Sequence, residues 1–445
     1  MAGEMNTPSA NSGPSGVFER LFGLEKHEYV AVGWSFIYFF CVLSSYMMLR
    51  PVRETVAACG GALTISFLFL GTFVAMLVAA PIFGWVASRF PRRKFLPWVY
   101  LFFICNILIF WAVFSVAINR EQSYIWLGRA FFVWLSVFNL FVVSVFWSFM
   151  ADIYTREQGR RLFGVIAAGG SIGALIGGVV TSVLVVKIGF HNLFPIAAAL
   201  LAAAIFSIRR LRMWVSAEQE ARGLARKRKP LGGSPFAGIT HMMSSPYFGA
   251  IALSSAIASL LGTALYMFTA ELVCDAIPDV NKQTQFFSNV NNATNLIALL
   301  AQLFMVRHIV SRFGIGMSLA LMPIVSIAGF AILAVNPTLA VVAIVTIVRR
   351  GLGFGLTKPT TDMLYSVVTP EEKYKTKNFI DTAVYRGGDV VGTWSISGLM
   401  SGLGMGLSAI SWVMVPFTAL WAIIALWLGR DYKRRAKLGI VKQES

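Results

Sequence analysis

WVASRFPRRKF (residues 85–95) and HIVSRFGIGMS (308–318) each close an apolar run of helical length, and they share a core, Ser88-Arg89-Phe90 in one and Ser311-Arg312-Phe313 in the other. A second echo follows each: TREQGRR (155–161) aligns with TPEEKYK (369–375). Both offsets are about half of the 445-residue chain. Two echoes at similar spacing indicate a duplicated unit, a parallel repeat of a kind known among membrane folds.

What the unit is made of follows from composition. The chain is 57% hydrophobic and 13% charged, with a mean hydropathy of +0.71, whereas soluble domains carry roughly 25% charged residues. Apolar stretches of ~20 residues, each able to cross a hydrocarbon core of about 30 Å as a helix, recur along nearly the whole length. Twelve helices are predicted at 29–50, 62–87, 95–118, 124–150, 162–186, 190–208, 247–273, 285–310, 315–335, 338–364, 378–401 and 406–429. The only long polar connection, between the sixth and seventh, splits them six and six. The expected organisation is a flexible tail (1–28), a first six-helix bundle (29–208), a basic linker (209–246), a second bundle (247–429) and a basic tail (430–445). This is an all-α polytopic membrane protein whose partner is the lipid bilayer.

Cations fall mainly on one side: residues 92–94, Arg156, Arg160, Arg161, the linker's ARKRK, Lys373, Lys375, Lys377 and the tail DYKRRAK. Such a bias places both termini in the cytoplasm, and the expected location is a bacterial inner membrane. It also accounts for the formal net charge of +18 without nucleic acid. The first 28 residues lack the basic start and short apolar core of a secretory signal. Cys41, Cys59, Cys105 and Cys274 show neither CxxC spacing nor secreted-domain density, so no disulfide framework and no metal site is expected. The four histidines form no HxxxH or HExxH pair. No cofactor loop and no constellation of nucleophile and base marks an enzyme, and the expected state is a monomer.

Charges within the apolar runs are the informative ones, because an ionisable group at such depth is costly and usually faces a wet cavity or a partner. The first helix ends SYMMLRPVRET, with Arg50, Arg53 and Glu54; the fourth carries Arg129. The tenth carries Arg349, Arg350, Lys358 and Asp362, and the eleventh Asp381, Arg386 and Asp389. Lys358 and Asp362 at four apart, and Arg386 and Asp389 at three, can each share a helix face. These acids can neutralise the bases at rest, and an anion can compete for them. Purely internal salt bridges are the competing interpretation. Asn292 and Asn295, within SNVNNATN (288–295), can present amides to a cavity or glue helices together. Glu271 and Asp275 suit proton coupling or are simply solvated carboxylates at a helix end.

The glycines of GLGFG (351–355), followed by Lys358 and Pro359, loosen the helical ladder. Neither that stretch nor AAGGSIGALIGG (167–178) matches a phosphate loop; the latter's small residues suit close helix packing.

GWVASRFPRRK resembles the loop signature of the major facilitator superfamily, G-x-x-x-D-R-x-G-R-R, through Gly84, Arg89, Arg92 and Arg93. Ser88 stands in place of its Asp and Pro91 in place of its second Gly. Residues 138–178 and 349–392, with YMMLRPVRE (46–54), resemble the ATP/ADP translocase family, also called nucleotide transport proteins, and its wider bacterial relatives. That resemblance implies a major facilitator fold and exchange of nucleotides or related phosphorylated anions. It also implies Arg50, Arg53, Lys358 and Arg386 as substrate contacts, with Asp362 and Asp389 as charge partners. This chain departs from the pattern at Pro51 and Arg53. The function expected is secondary transport of a small organic anion. The alternatives are a proton-coupled exporter of apolar or cationic solutes, using Glu271, Asp275 and Asp389, and a transport-inactive protein that kept the fold.

Overall fold

The computed structural model describes residues 25–89, 92–117, 121–222, 245–369, 372, 376–377 and 379–444. The described residues are helical throughout apart from short turns. Ten helical runs are long and apolar enough to cross a membrane. One of them, Val280–Val335, has 56 residues, about 84 Å of continuous helix, far more than a bilayer needs. It breaks at Gly314, where φ is +77°, a left-handed conformation suited to a residue without Cβ. That break yields the eighth and ninth passes. A further pass is assembled from the π turn Ile380–Val384, the helix Tyr385–Ser397 and the π turn Gly398–Gly402. The described residues thus make twelve passes in two six-helix bundles.

Six passes lead to the linker: Tyr29–Ala58, Gly61–Arg89, Arg92–Ala117, Glu121–Ile153, Arg156–Ile188 and Leu193–Arg222. The second half opens with Pro246–Ala276 and Val280–Leu300, and its tenth pass combines Leu339–Leu352, the π turn Gly353–Thr357 and Lys358–Leu364. Leu407–Glu444 is the twelfth. An even number of passes brings the first residue of the first pass, the linker and the last helix to one side, called here the terminal side; the opposite side is the far side.

The first bundle closes around Tyr38, Phe131, Phe138 and Phe146. Glycines of the fifth pass bring it against the first: a Cβ on Gly173 would lie 2.4 Å from the Phe40 carbonyl oxygen, and one on Gly177 2.6 Å from that of Ser44. Ser44 Oγ uses this proximity to donate to the Gly173 carbonyl at 2.8 Å. The expected packing role of AAGGSIGALIGG is therefore observed. The halves meet where the fifth pass packs on the eighth, the second on the eleventh, and the first on the seventh and eighth.

The two copies of the second echo begin with equivalent local structure. Thr155 and Gln158 form a reciprocal capping box at the start of the fifth pass. Thr369 and Glu372 exchange the same two bonds before the eleventh.

Several expectations need correction. The sixth helix runs to Arg222 rather than 208 and the twelfth to Glu444 rather than 429. Hydropathy marks where lipid ends, whereas Arg, Lys, Glu and Ala beyond it are good helix formers that prolong the ladder. The tail ends earlier than 28, since Lys26–Glu28 form a 3₁₀ turn and buried Glu28 accepts from Gln158 and Arg161. Cys59 and Cys274, expected to be unpaired, form a disulfide with their Cα atoms 5.3 Å apart. Their sequence separation of 215 hides that they occupy corresponding far-side ends of corresponding helices, the first of each half.

Candidate functional site

At the junction of the halves, about 8–16 Å from the far ends of their helices at 1.5 Å per residue, four arginines gather from the first and tenth passes. Arg50 Nε donates to Glu54 Oε1 at 3.2 Å, one helical turn on. Asn291 of the eighth pass donates to the other oxygen, Glu54 Oε2, at 2.8 Å. Its own Oδ1 accepts from Arg350 Nη2 at 2.9 Å. One carboxylate therefore serves Arg50 directly and Arg350 through an amide, tying the first, eighth and tenth passes together.

Among the described residues, no carboxylate forms an ion pair with Arg53 or Arg349. Arg53 Nη1 donates to Ser136 Oγ at 3.1 Å while its guanidinium lies 4.3 Å from the Phe132 ring centroid. Arg349, itself 5% exposed, donates from Nη2 to the Ala258 carbonyl at 2.6 Å. The Nε of each is buried without a hydrogen-bond partner. The Tyr266 hydroxyl of the seventh pass lies among Arg50, Arg53 and Glu54.

Towards the terminal side the charges become wetter. Arg386 Nη1 donates to Asp389 Oδ2 at 3.2 Å, and Ser259 Oγ donates to Asp389 Oδ1. Lys358 Nζ reaches Asp381 at 2.7 Å and Asp362 at 3.5 Å, and Lys377 reaches Asp362 at 2.9 Å. Side-chain exposure rises from 5% at Glu54 and 19% at Arg50 to 38% at Arg386 and 47% at Lys358. The cation array is therefore most buried towards the far side and most exposed towards the terminal side. The π turn Gly353–Thr357 lies between Arg350 and Lys358. Such a turn shifts the register of the helix and lets a single pass carry both the buried and the wet cations.

Other residues singled out from sequence lie elsewhere. Arg129 stacks on Trp126 of its own pass at 4.7 Å, and no bond among the described residues joins it to the array. Asn292 abuts Gly178 of the fifth pass with Oδ1 buried and unpartnered, and Asn295 Nδ2 is likewise unpartnered. Neither makes the bridge, which falls to neighbouring Asn291. Glu271 and Asp275 are exposed in a far-side cavity of about 320 Å³ that the Cys59–Cys274 bond also lines. Gly84 and Arg89 belong to the last turns of the second pass, and Arg92 and Arg93 open the third; Phe90 and Pro91 between them lie outside the described residues.

Among the described residues, one group, Glu25, His27 and Glu28, brings possible metal-ligand atoms within 4.8 Å of one another. Arg161 and Gln158 engage its carboxylates instead.

The family model for the Major Facilitator Superfamily matches residues 34–393. No curated protein matches the chain. Among solved structures, a bacterial homologue of the iron transporter ferroportin is 12% identical, with a TM-score of 0.63 over 92% of this chain and 98% of that one. The nucleoside transporter NupG is 14% identical, with a TM-score of 0.57 over 93% and 100%. A bacterial homologue of the lysosomal transporter Spinster is 14% identical, with a TM-score of 0.55 over 93% and 99%. At these identities the likeness concerns the fold alone.

Proposed function

This chain belongs to the major facilitator superfamily, and from that premise we propose a secondary transporter that moves a small organic anion, nucleotide-like or phosphorylated, by alternating access. The observation that carries the anion is the surplus of cations between the halves: Arg50, Arg53, Arg349, Arg350 and Arg386 against Glu54 and Asp389. Uncompensated buried charge is destabilising. An arriving carboxylate or phosphate supplies the missing counter-charge, and guanidinium forks suit its oxygens. The phosphorylated class rests on the resemblance of residues 138–178 and 349–392 to nucleotide transport proteins.

The roles follow from position. Lys358, wet and shared between Asp381 and Asp362, is the first cation an anion meets from the terminal side. Exchange of its carboxylate partners for the anion frees Asp381 and Asp362, which links binding to rearrangement of the tenth and eleventh passes. Arg53 and Arg349 receive the charge deeper in. The cation bias places the terminal side in the cytoplasm, and the protein acts as a monomer in a bacterial inner membrane.

Thermal shift of the purified protein against nucleotides, sugar phosphates, carboxylates and lipophilic cations tests this, since a ligand that binds the folded state raises apparent stability. Phosphorylated anions are expected to raise the melting temperature, and Lys358→Ala to abolish the shift. Stabilisation by lipophilic cations alone, or by nothing in the panel, contradicts it.

A further inference from the structure

We propose that the Cys59–Cys274 disulfide is a redox latch on the far-side gate, holding the transporter open to the terminal side until a dithiol in the far-side compartment reduces it. The bond joins the far ends of the first and seventh passes, the leading helices of the two halves, with Cα atoms 5.3 Å apart. Its surroundings are the closed gate. Thr55 and Thr284 hydroxyls meet at 3.0 Å, Gln285 Nε2 donates to the Ser182 carbonyl at 2.9 Å, and the Phe190 N–H donates to Asn281 at 2.9 Å. Each of these hydrogen bonds joins one half to the other and can be exchanged for water as the gate parts. The disulfide is a covalent tie between the halves, and uncatalysed disulfide rearrangement takes minutes to hours against microseconds to milliseconds for domain motion. Far-side separation of these two helix ends therefore waits on its chemistry.

The bond is also placed to be reached. Cys59 is exposed, and both cysteines line the far-side cavity of about 320 Å³ together with Glu271 and Asp275. A dithiol of thioredoxin-like chemistry suffices as reductant. Its thiolate attacks one sulfur to give a mixed disulfide, and its second thiol closes its own disulfide. Two electrons and two protons then remain on Cys59 and Cys274 as free thiols. Disulfides persist in oxidising compartments, so the far side is the extracytoplasmic side, in agreement with the independent count of cations. The latch rests on the alternating access proposed above but not on its cargo.

The test follows gate distance. In a Cys41→Ala/Cys105→Ala background, Val116→Cys and Val335→Cys place labels at exposed far-side ends of the third and ninth passes, one in each half. Maleimide spin labels attach through thioethers that survive reduction, and pulsed electron-electron resonance reads the separation in lipid nanodiscs. The oxidised protein is expected to give one short-distance population. Addition of tris(2-carboxyethyl)phosphine, or Cys59→Ser/Cys274→Ser in the same background, is expected to add a longer one. Identical distributions in all three samples, or a long population already present with the bond intact, overturn the latch. The bond is checked in the wild-type protein by maleimide counting under denaturation, expected to be two without reductant and four with it, matching the four cysteines. Four without reductant overturns the proposal at its base. None of these readouts uses a transported ligand, so failure of the anion assignment in the thermal-shift panel is a separate result.

Discussion

Glu54, with 5% side-chain exposure, contacts Arg50 and, through Asn291, supports Arg350. Removing one member of a buried ion pair leaves an uncompensated charge, typically at a cost of about 3–5 kcal/mol. Glu54→Ala is therefore expected to lower the melting temperature of the detergent-solubilised protein substantially, and adding Arg50→Ala is expected to recover part of the loss. A double variant less stable than Glu54→Ala alone would show that the pair is not coupled. The arginines were legible in the sequence because a charge inside an apolar run has few structural excuses. The bridge was not. Asn291, Asn292 and Asn295 lie on one helix, and a step of one residue is a rotation of about 100°, so choosing the amide that faces the partner requires the crossing geometry of two halves far apart in sequence. The partners of Lys358 divide the same way: Asp362, four residues on, was evident from helical spacing, whereas Asp381, the nearer partner at 2.7 Å, comes from another pass.

Among the elements, the fifth pass makes the clearest demand on its side chains. A Cβ at Gly173 would approach the Phe40 carbonyl oxygen and Cα to 2.4 and 2.8 Å, and backbone cannot swing aside as a side chain can. Gly173→Val is expected to destabilise the fold by at least the ~1–3 kcal/mol of ordinary overpacking, read as a loss of melting temperature or of folded yield. Gly164 on the same pass has nothing within 4 Å of an added Cβ, so Gly164→Ala should leave stability unchanged or slightly raised. Equal damage from the two would remove close packing as the cause. Here the sequence was informative, since small residues at one-face spacing announce a helix contact even when the partner is unknown. Helix ends were less so. The apolar stretch defines the passage through lipid, but the hydrogen-bond ladder runs on into Arg222 and Glu444. The π turns of the tenth and eleventh passes leave only the glycines around 351–355 as their trace.

For the molecule as a whole, the duplicated motifs disclosed two bundles, and the same register held the clue to the disulfide: Cys59 and Cys274 are scattered in sequence but equivalent in the repeat. No sequence pattern disclosed which side is open, because that depends on how the halves tilt. The exposure gradient favours the terminal side, with Lys358 wet and Asn291 and Arg349 buried beneath it. In a Cys41→Ala/Cys105→Ala background, Lys358→Cys is therefore expected to react with a charged, membrane-impermeant methanethiosulfonate supplied from the terminal side and to resist it from the far side. Asn291→Cys, at a position 3% exposed, should be protected from both sides while the Cys59–Cys274 bond is intact. Rapid modification of Lys358→Cys from the far side would mean that the array opens the other way at rest. With Cys59→Ser/Cys274→Ser added instead, far-side reactivity at residue 291 should appear once the gate can part, which joins the exposure gradient of the cation array to the latch at its far end.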